Sequence, residues 1–274
     1  MINFVVYNIT KNFVTYFLLL LTYTFMNTII NSFDSISLDA MSGVKLMNRV
    51  DTKFVTTIPR LVQLLKMAQN DYFVQEIDGK RSSAYTTLYY DTPAFDMYLT
   101  HHNGCLGRQK VRVRQYVDSG QTFLEVKNKN NHRRTRKKRI SISDFSIEGE
   151  EKQQFLKSLC WYDIYTLKPA LRNWFNRITL VNKGKTERVT IDTDLRYHNI
   201  ATGIDKAMGQ AVIIELKRDG NVRSPLLAML RDLHIHPHGF SKYCIGTALT
   251  NPQVKQNRLK EKIHYVHRLI EMDA

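Results

Sequence analysis

The sequence is poor in the residues that build disulfide or zinc frameworks. Its three cysteines, Cys105, Cys160 and Cys244, are widely separated and odd in number, so neither a disulfide scaffold nor a cysteine-based zinc site is predicted. It also has no Pro-, Gly- or Ser-rich linker and no internal repeat, and 43% of its residues are hydrophobic. We therefore expect one globular domain in a reducing compartment, the cytoplasm.

Carboxylates are scarce relative to cations. The 274 residues include 25 Asp and Glu against 40 Lys and Arg, which leaves a formal charge of +15. Such an excess predicts an anionic partner, which could be nucleic acid, a membrane surface or a phosphorylated small molecule. Composition does not choose among the three.

The N-terminus lacks a long apolar run. Its apolar segment, residues 13–25, is shorter than the roughly 20 residues that a membrane-spanning helix needs. It also lacks the basic region and the small-residue cleavage site of a secretory signal. Three interpretations stay open: translation that begins at Met26, a weak membrane anchor, or a signal peptide.

Side-chain periodicity predicts a mixture of strands and shorter helices. Alternation of apolar and polar residues predicts strands over residues 50–56, 85–91, 107–118, 121–129, 134–143, 174–181, 187–194 and 211–218. Apolar residues at helical spacing predict helices over residues 57–68, 147–161, 225–233 and 256–272.

Basic residues occupy every second position of one predicted strand. Arg108, Lys110, Arg112 and Arg114 alternate with glutamine or valine, so in a strand all four point to one face. Further predicted strands also have a cationic face, with these residues: Lys53; Glu125, Lys127 and Lys129; Lys137 and Arg139; Arg188; Glu215 and Lys217. One such face is ordinarily solvent-exposed, but at least five such faces with so few carboxylates predict one shared basic surface.

An antiparallel β-barrel would gather these faces inside. The predicted fold class is therefore α+β, an antiparallel barrel whose apolar faces lie outward beneath helices at Leu61, Leu156, Leu227 and Ile263. Unpaired cations are costly to bury, so such an interior would be wet and would hold anions. A chain of phosphates fits best, because Arg and Lys both bind phosphate oxygens.

Seven short motifs follow one another along the chain: Arg49-Val-Asp51-Thr-Lys53-Phe, Leu88-Tyr-Tyr-Asp91-Thr, Lys110-Val-Arg112-Val-Arg114, Phe123-Leu-Glu125-Val-Lys127, Arg188-Val-Thr-Ile-Asp192, Ile214-Glu215-Leu-Lys217 and Phe240-Ser-Lys242-Tyr. In type and order they resemble the motifs of the VTC domain, the polyphosphate polymerase branch of the CYTH or triphosphate-tunnel superfamily. The resemblance divides the chain into an N-terminal extension (1–32), a tunnel domain (33–250) and a C-terminal helix (251–274).

The resemblance implies an enzyme that transfers the γ-phosphoryl group of ATP onto a growing inorganic polyphosphate chain, with Mn²⁺ or Mg²⁺ as cofactor. The family's triphosphate-gripping, strand-borne residues correspond to Lys53, Arg112, Arg114, Lys127, Arg177, Arg188 and Lys242, and Glu215 resembles its metal-binding carboxylate. Strand parity adds further substrate-binding candidates, namely Arg108, Lys110, Lys137, Arg139 and Lys217. A membrane protein that receives the polymer would place the chain at the cytoplasmic face of a membrane.

One departure from the superfamily pattern bears on the reaction. Its hydrolytic members begin with Glu-x-Glu-x-Lys, whereas this sequence has Arg49-x-Asp51-x-Lys53, which favours transfer over hydrolysis. Two alternatives stay open: a triphosphate hydrolase of the same fold, and a non-catalytic module that binds polyphosphate or RNA. The basic strands have few aromatic residues apart from Tyr116, which argues against nucleic acid.

Some residues have a structural and a functional interpretation. Asp192 and Asp194 could supply extra metal ligands or could pair with Arg188 or Arg177. His101 and His102 are predicted to form a turn. Four aromatic residues are predicted to belong to the core: Tyr89, Tyr90, Trp161 and Trp174.

Overall fold

The structure, a computed structural model, describes residues 21–41, 49–132, 134–220 and 222–272. Its strands are β1 (Asp34–Ile36), β2 (Arg49–Thr57), β3 (Tyr72–Gln75), β4 (Ser83–Asp91), β5 (Arg108–Tyr116), β6 (Thr122–Lys129), β7 (Thr135–Ile142), β8 (Lys168–Asn182), β9 (Glu187–Asn199), β10 (Asp205–Ala207) and β11 (Ala211–Asp219). Its helices are α1 (21–31), α2 (Ile58–Ala68), α3 (Asp96–His102), α4 (Glu150–Lys157), α5 (Pro225–Asp232), α6 (Lys242–Thr250) and α7 (Lys260–Met272).

All the strands belong to one sheet. Its main path runs β2-β11-β9-β8-β4-β5-β6-β7, and each neighbouring pair on this path is antiparallel. Only the short β1 pairs in parallel, with β3, among the described strands. The predicted α+β antiparallel fold is confirmed, although hydrogen bonds do not join the end strands β2 and β7 to each other in the described chain.

The sheet curls around its polar face to form a tunnel. Lys53 of β2 and Lys110 of β5 donate hydrogen bonds to the adjacent residues Phe240 and Ser241, although their strands are five positions apart in the sheet. In a flat sheet these strands would be separated by about 24 Å. The face that carries both lysines is therefore concave, as the barrel prediction requires.

Two helical layers cover the outer, apolar face. Leu61 of α2 and Leu226 of α5 pack with Phe54, Val189 and Ile214 from the strands. On the other side, Leu156 of α4 packs with a second set of strand residues: Val111, Val113, Leu124 and Val126. The strands thus bury their apolar side outward, which leaves the inner side to the charged residues. Leu227 also packs against the first layer, as predicted.

One end of the tunnel is closed by α6, a helix that the periodicity did not predict. Tyr243, Cys244, Ile245 and Ala248 are buried against inner-face side chains of the sheet. The helix has apolar or buried residues on all sides, so it lacks the amphipathic pattern by which helices are recognised. Ile263 of α7 also packs against this inner cluster, so its predicted place beneath the outer face was wrong.

Several local predictions also need correction. Trp161 is 53% exposed and so lies outside the core. His101 and His102 end α3 instead of forming a turn, and the helix predicted over 147–161 spans only Glu150–Lys157. Strand β8 is longer than predicted because its pairing with β9 shifts between Trp174 and Asn176. Such a bulge interrupts the side-chain alternation.

The helix before β1 is part of the domain core. Met26, Ile29 and Ile30 are buried in the outer cluster, and the Tyr23 hydroxyl donates a hydrogen bond to Asp194 Oδ1 at 2.8 Å. The three interpretations of the N-terminus concern residues 1–25, of which residues 1–20 lie outside the described residues. Within the described ranges, no helix has the length and apolarity needed to cross a membrane.

The close fit of α6 gives a prediction for stability. A Cβ added at Gly246 would overlap the Tyr197 ring and would lie 2.7 Å from Leu171 Cδ2. Gly246→Ala should therefore lower the free energy of unfolding by about 1–3 kcal/mol, the usual cost of overpacking, as measured by urea unfolding. In the control Gly184→Ala, the nearest atom is 3.6 Å away, so stability should change little. Equal stability of the two variants would contradict the placement of α6.

Candidate functional site

Strand register places the predicted cations on the inner face of the tunnel. Directly opposite residues in neighbouring strands share a face of the sheet. On one half of the sheet the inner-face pairs are Lys53–Glu215, Asp51–Lys217, Lys217–Arg188 and Arg177–Asp192. On the other half they are Lys110–Lys127, Lys127–Lys137, Arg112–Glu125 and Glu125–Arg139.

Glu125 binds two of these cations. It is only 1% exposed and accepts hydrogen bonds from Arg112 Nε at 2.7 Å and from Lys137 Nζ at 2.6 Å. Burial alone would raise the pKa of Glu125, but Arg112, Arg114 and Lys137 outweigh burial and hold the pKa well below its usual range. Glu125 therefore stays ionised and fixes the orientation of Arg112, a role that parity alone did not assign.

On the opposite wall of the tunnel, Asp192 likewise binds two cations. Arg177 forms a bidentate ion pair with Asp192: Nε donates to Oδ1 at 2.6 Å and Nη2 donates to Oδ2 at 2.8 Å. Lys242 also contacts Oδ2. Burial raises the pKa of Asp192, but Arg177 and Lys242 lower it further than burial raises it. The predicted pairing of Asp192 with Arg177 is confirmed.

Asp194 does not belong to the tunnel. One of its carboxylate oxygens accepts a hydrogen bond from Tyr23, and the other accepts one from Asn176 Nδ2 at 2.8 Å. Asp194 has a backbone φ of 52° and lies next to the point where the pairing of β9 with the bulged strand β8 shifts. The regular alternation of side chains along β9 ends there. The structure therefore gives no support to Asp194 as an extra metal ligand.

Arg114 lies deep in the tunnel without a carboxylate in contact among the described residues. Only 7% of it is exposed, and its Nε donates to Thr87 Oγ1 at 3.2 Å. Its guanidinium carbon is 5.5 Å from the centre of the Tyr85 ring. Burial, Arg112 and Arg177 lower the pKa of Arg114 to about 10. A buried cation in these surroundings is suited to receive an anion.

Burial lowers the pKa of Lys53, and three further lysines of the tunnel also have lowered pKa values. Lys127 is solvent-exposed, but desolvation between the tunnel walls and the charges of Arg112, Lys53 and Lys110 lower its pKa to about 7. Burial lowers the pKa of Lys110 to about 8, with Lys53 and Arg112 acting in the same direction. Burial also lowers the pKa of Lys242 to about 8, although Asp192 opposes the shift. A bound polyanion would favour the charged form of all three.

The N-terminus of α6 faces the same chamber. Lys110 Nζ donates to Ser241 Oγ at 2.8 Å, and Lys53 Nζ donates to the Phe240 carbonyl at 3.1 Å. Ser241 also caps the helix by accepting from the Cys244 amide. The partial positive charge of a helix N-terminus adds to the attraction for phosphate. Lys242, predicted as strand-borne, is in fact the first residue of this helix.

Glu215 lies where a divalent ion could be held together with phosphate oxygens. Its carboxylate contacts Lys217 and lies 3.5 Å from Lys53 Nζ, while Lys217 also reaches Asp51 at 3.4 Å. The buried hydroxyl of Thr190, opposite Glu215 in the sheet, has no hydrogen-bond partner in the described part of the chain. The described residues contain no cluster of three or more His, Cys, Asp or Glu suited to a metal. These hard oxygen donors suit an ion that takes most of its ligands from phosphates.

Two predicted residues lie nearer the rim. Arg108 donates to the Cys105 carbonyl at 2.8 Å, and Arg139 is exposed with its guanidinium 4.3 Å from the Phe123 ring centre. Arg188 lies opposite Lys217 on the inner face. The structure therefore brings most of the predicted residues into one chamber and leaves Arg108 and Arg139 at its margins.

Asp91 and Tyr243 form a buried link that sequence reasoning did not recognise. Asp91 is 1% exposed and accepts hydrogen bonds from the Met97 and Tyr98 amides, each at 2.9 Å, and from the Tyr243 hydroxyl. It thereby ties the start of α3 to α6, whose first residue is Lys242. An acidic residue shortly before a helix was the available signal.

A family model described as the VTC domain matches residues 48–251. No curated protein matches the chain at a significant level.

Solved structures similar to this chain include three from different organisms. HpAC1 from Hippeastrum, described as having a dominant triphosphatase activity, aligns at 14% identity and a TM-score of 0.44, over 74% of this chain and 96% of that one. PH1819 from Pyrococcus horikoshii OT3 aligns at 14% identity and a TM-score of 0.42, over 73% and 98% of the two chains. The S. pombe Pct1 RNA triphosphatase aligns at 9% identity and a TM-score of 0.28, over 92% and 87%. All three TM-scores are low, so we draw no functional conclusion from them.

The lowered lysine pKa values predict that polyanion binding takes up protons. Near pH 7 to 8, Lys127, Lys110 and Lys242 are partly deprotonated in the free protein, and a bound anion will raise their pKa values. Affinity for tripolyphosphate should therefore fall as pH rises from 7 to 9, by up to about tenfold per pH unit for each proton taken up. Calorimetry without metal, in two buffers of different ionisation enthalpy, measures the proton uptake directly.

Lys127→Arg provides the matched test, because arginine stays charged over this range. This variant should take up fewer protons than the wild type, whereas Lys206→Arg, at an exposed site on β10, should take up as many. Binding with no proton uptake in the wild type would contradict the electrostatic description of the tunnel.

Proposed function

Because the chain belongs to the VTC domain family, we propose that it is a polyphosphate polymerase. It transfers the γ-phosphoryl group of ATP onto a growing inorganic polyphosphate chain inside the basic tunnel. The observation that carries the proposal is the row of inner-face cations around Arg114, Lys110 and Lys127, whose charge the nearby carboxylates do not balance. A flexible chain of phosphates supplies the missing negative charge all along such a row.

The reaction mainly requires that negative charge on the transferred phosphoryl group be stabilised. The transferred phosphoryl group and its leaving oxygen carry negative charge, and fixed cations stabilise it without reorganising. Arg112 is held in place by Glu125, and Arg177 is held by Asp192. The hydrogen bonds to these carboxylates restrain both guanidinium groups before substrate arrives. This pre-orientation supports in-line positioning of donor and acceptor.

Proton transfer has little part in this chemistry. The acceptor, the end of a polyphosphate chain, already carries oxyanions, so it needs no strong general base. A divalent ion, manganese or magnesium, held by Glu215 and the substrate's phosphates would neutralise further charge on the nucleotide. Thr190, beside Glu215, supplies a neutral hydroxyl to the same part of the tunnel wall.

Transfer is favoured over hydrolysis because the tunnel lacks an acidic residue that hydrolytic members of the superfamily have. Where hydrolytic members of the superfamily have a first glutamate on this strand, the chain has Arg49. The next acid, Asp51, is within 3.4 Å of Lys217. Few carboxylates thus remain to activate a water molecule.

We also expect a cytoplasmic location and a membrane-protein partner that receives the polymer.

The reaction predicts a polymeric product. Purified protein incubated with ATP and Mn²⁺ should produce polyphosphate chains and ADP, resolved by chain length on a gel. Release of free phosphate without chains would instead support the hydrolase alternative. Binding of polyphosphate with no turnover, under varied metals and primers, would support the non-catalytic alternative and refute the polymerase.

Two substitutions should separate binding from metal-dependent turnover. Arg114→Ala should weaken ATP binding by about 1.5–3 kcal/mol, since it removes a charged contact to phosphate, and should lower turnover as well. Glu215→Ala should leave metal-free tripolyphosphate binding largely intact but should abolish metal-dependent synthesis. Calorimetry and the chain-length assay measure the two effects. Equal loss of metal-free binding in both variants would contradict the metal role of Glu215.

A further inference from the structure

We propose that β7 and the residue before it carry a second binding site for polyphosphate, on the outside of the tunnel, which holds the chain after it leaves. The site comprises Arg134, just before β7, and Arg136 and Lys138 of the strand, here called the edge patch. The inference rests on the proposed function and extends it, because the tunnel candidates on this strand were only the inward-facing Lys137 and Arg139. The ligand is an inorganic polyphosphate chain long enough to extend beyond the tunnel.

The position of β7 connects the edge patch with the tunnel. β7 is the last strand on the main path of the sheet. Its Lys137 and Arg139 lie opposite Lys127 and Glu125 on the inner face. Arg136 and Lys138 alternate with them and lie opposite Asn128 and Val126, and Val126 belongs to the outer core. Cations thus continue from the inner face around the end of the sheet to its outer side.

Exposure increases toward this strand. Arg114 is 7% exposed, and the Arg112 side chain is 18% exposed. The Lys137 side chain is 42% exposed, and Arg139 is exposed as well. The wall therefore opens to solvent at β7, whereas α6 closes one end of the tunnel. A chain that grows in the chamber can leave past Lys137 and would then meet the edge patch.

The side chains of the edge patch form no ion pairs in the described structure. All three side chains are exposed, and no ion pair joins them to a carboxylate within the described ranges. Neighbouring cations without counter-charges repel one another, so an anionic chain that bridges them is favoured. RNA would need stacking platforms as well, and the outer-face neighbours Asn128 and Val126 provide none.

Edge protection is the competing explanation. Exposed edge strands commonly carry charged residues that prevent pairing with other chains, and β7 is such an edge. Charges of either sign protect an edge, whereas only positive charges bind polyphosphate. The sign of the charge therefore separates the two explanations.

The test compares short and long phosphate chains on full-length protein. Arg136→Glu combined with Lys138→Glu keeps the edge charged but reverses its sign. A neutral variant combines Arg134→Ser, Arg136→Thr and Lys138→Thr. The control variant combines Lys206→Thr, Arg223→Ser and Arg231→Gln, which remove equal charge from exposed positions elsewhere. Metal-free affinities for tripolyphosphate and for long-chain polyphosphate are measured at several salt concentrations.

We expect both edge variants to bind tripolyphosphate as the wild type does and to lose on the order of tenfold in affinity for the long chain at low salt. The slope of log affinity against log salt should fall by about two to three in the neutral variant, with three fewer phosphate contacts. The control variant should keep most of its long-chain affinity.

Unchanged long-chain binding in the charge-reversed variant would overturn the edge patch and leave the tunnel intact. Failure of the wild type to bind tripolyphosphate would instead refute the proposed function itself. Competition of a single-stranded RNA for the patch at affinity equal to that of polyphosphate would show that the site is not selective for phosphate chains, which also contradicts the inference.

Discussion

The imbalance of charge inside the tunnel governs the rest of this structure. Burying several cations together is unfavourable unless each finds a negative partner. Glu125 and Asp192 each bind two cations, namely Arg112 with Lys137 and Arg177 with Lys242. Among the described residues, Arg114, Lys110 and Lys127 have no such partner, and desolvation together with neighbouring cations lowers their pKa values. The free protein carries a cost that a bound phosphate chain would relieve.

The fold makes this imbalance possible by burying its apolar surface elsewhere. Strand residues such as Val113 and Ile214 face outward into two helix-covered cores, each 0% exposed. These cores stabilise the sheet, so the inner face is free to remain polar. The cost is confined to the chamber, where α6 adds both a closed end and a helix N-terminus directed at the substrate. Stability and binding are therefore supplied by opposite faces of the same strands.

Alternation along each strand was enough to predict the main strands and the shared basic face. Lys53, Arg112 and Glu215 were assigned to that face from parity or from the resemblance to the VTC domain, and the register places them there. Contacts between strands could not be predicted in the same way. The ion pair between Glu125 and Lys137 depends on the register of β6 with β7, and no sequence pattern within one strand encodes that register. Helix α6 was missed because a helix buried on all sides has no polar face to mark it.

A crystal structure of the protein with tripolyphosphate is the most direct test of phosphate binding by the unbalanced cations. We expect phosphate oxygens within hydrogen-bond distance of Arg114, Arg112 and Lys127, in the chamber beside the N-terminus of α6. Phosphates bound only on the outer surface, with the chamber filled by water, would contradict the claim that the unbalanced cations exist to hold a phosphate chain.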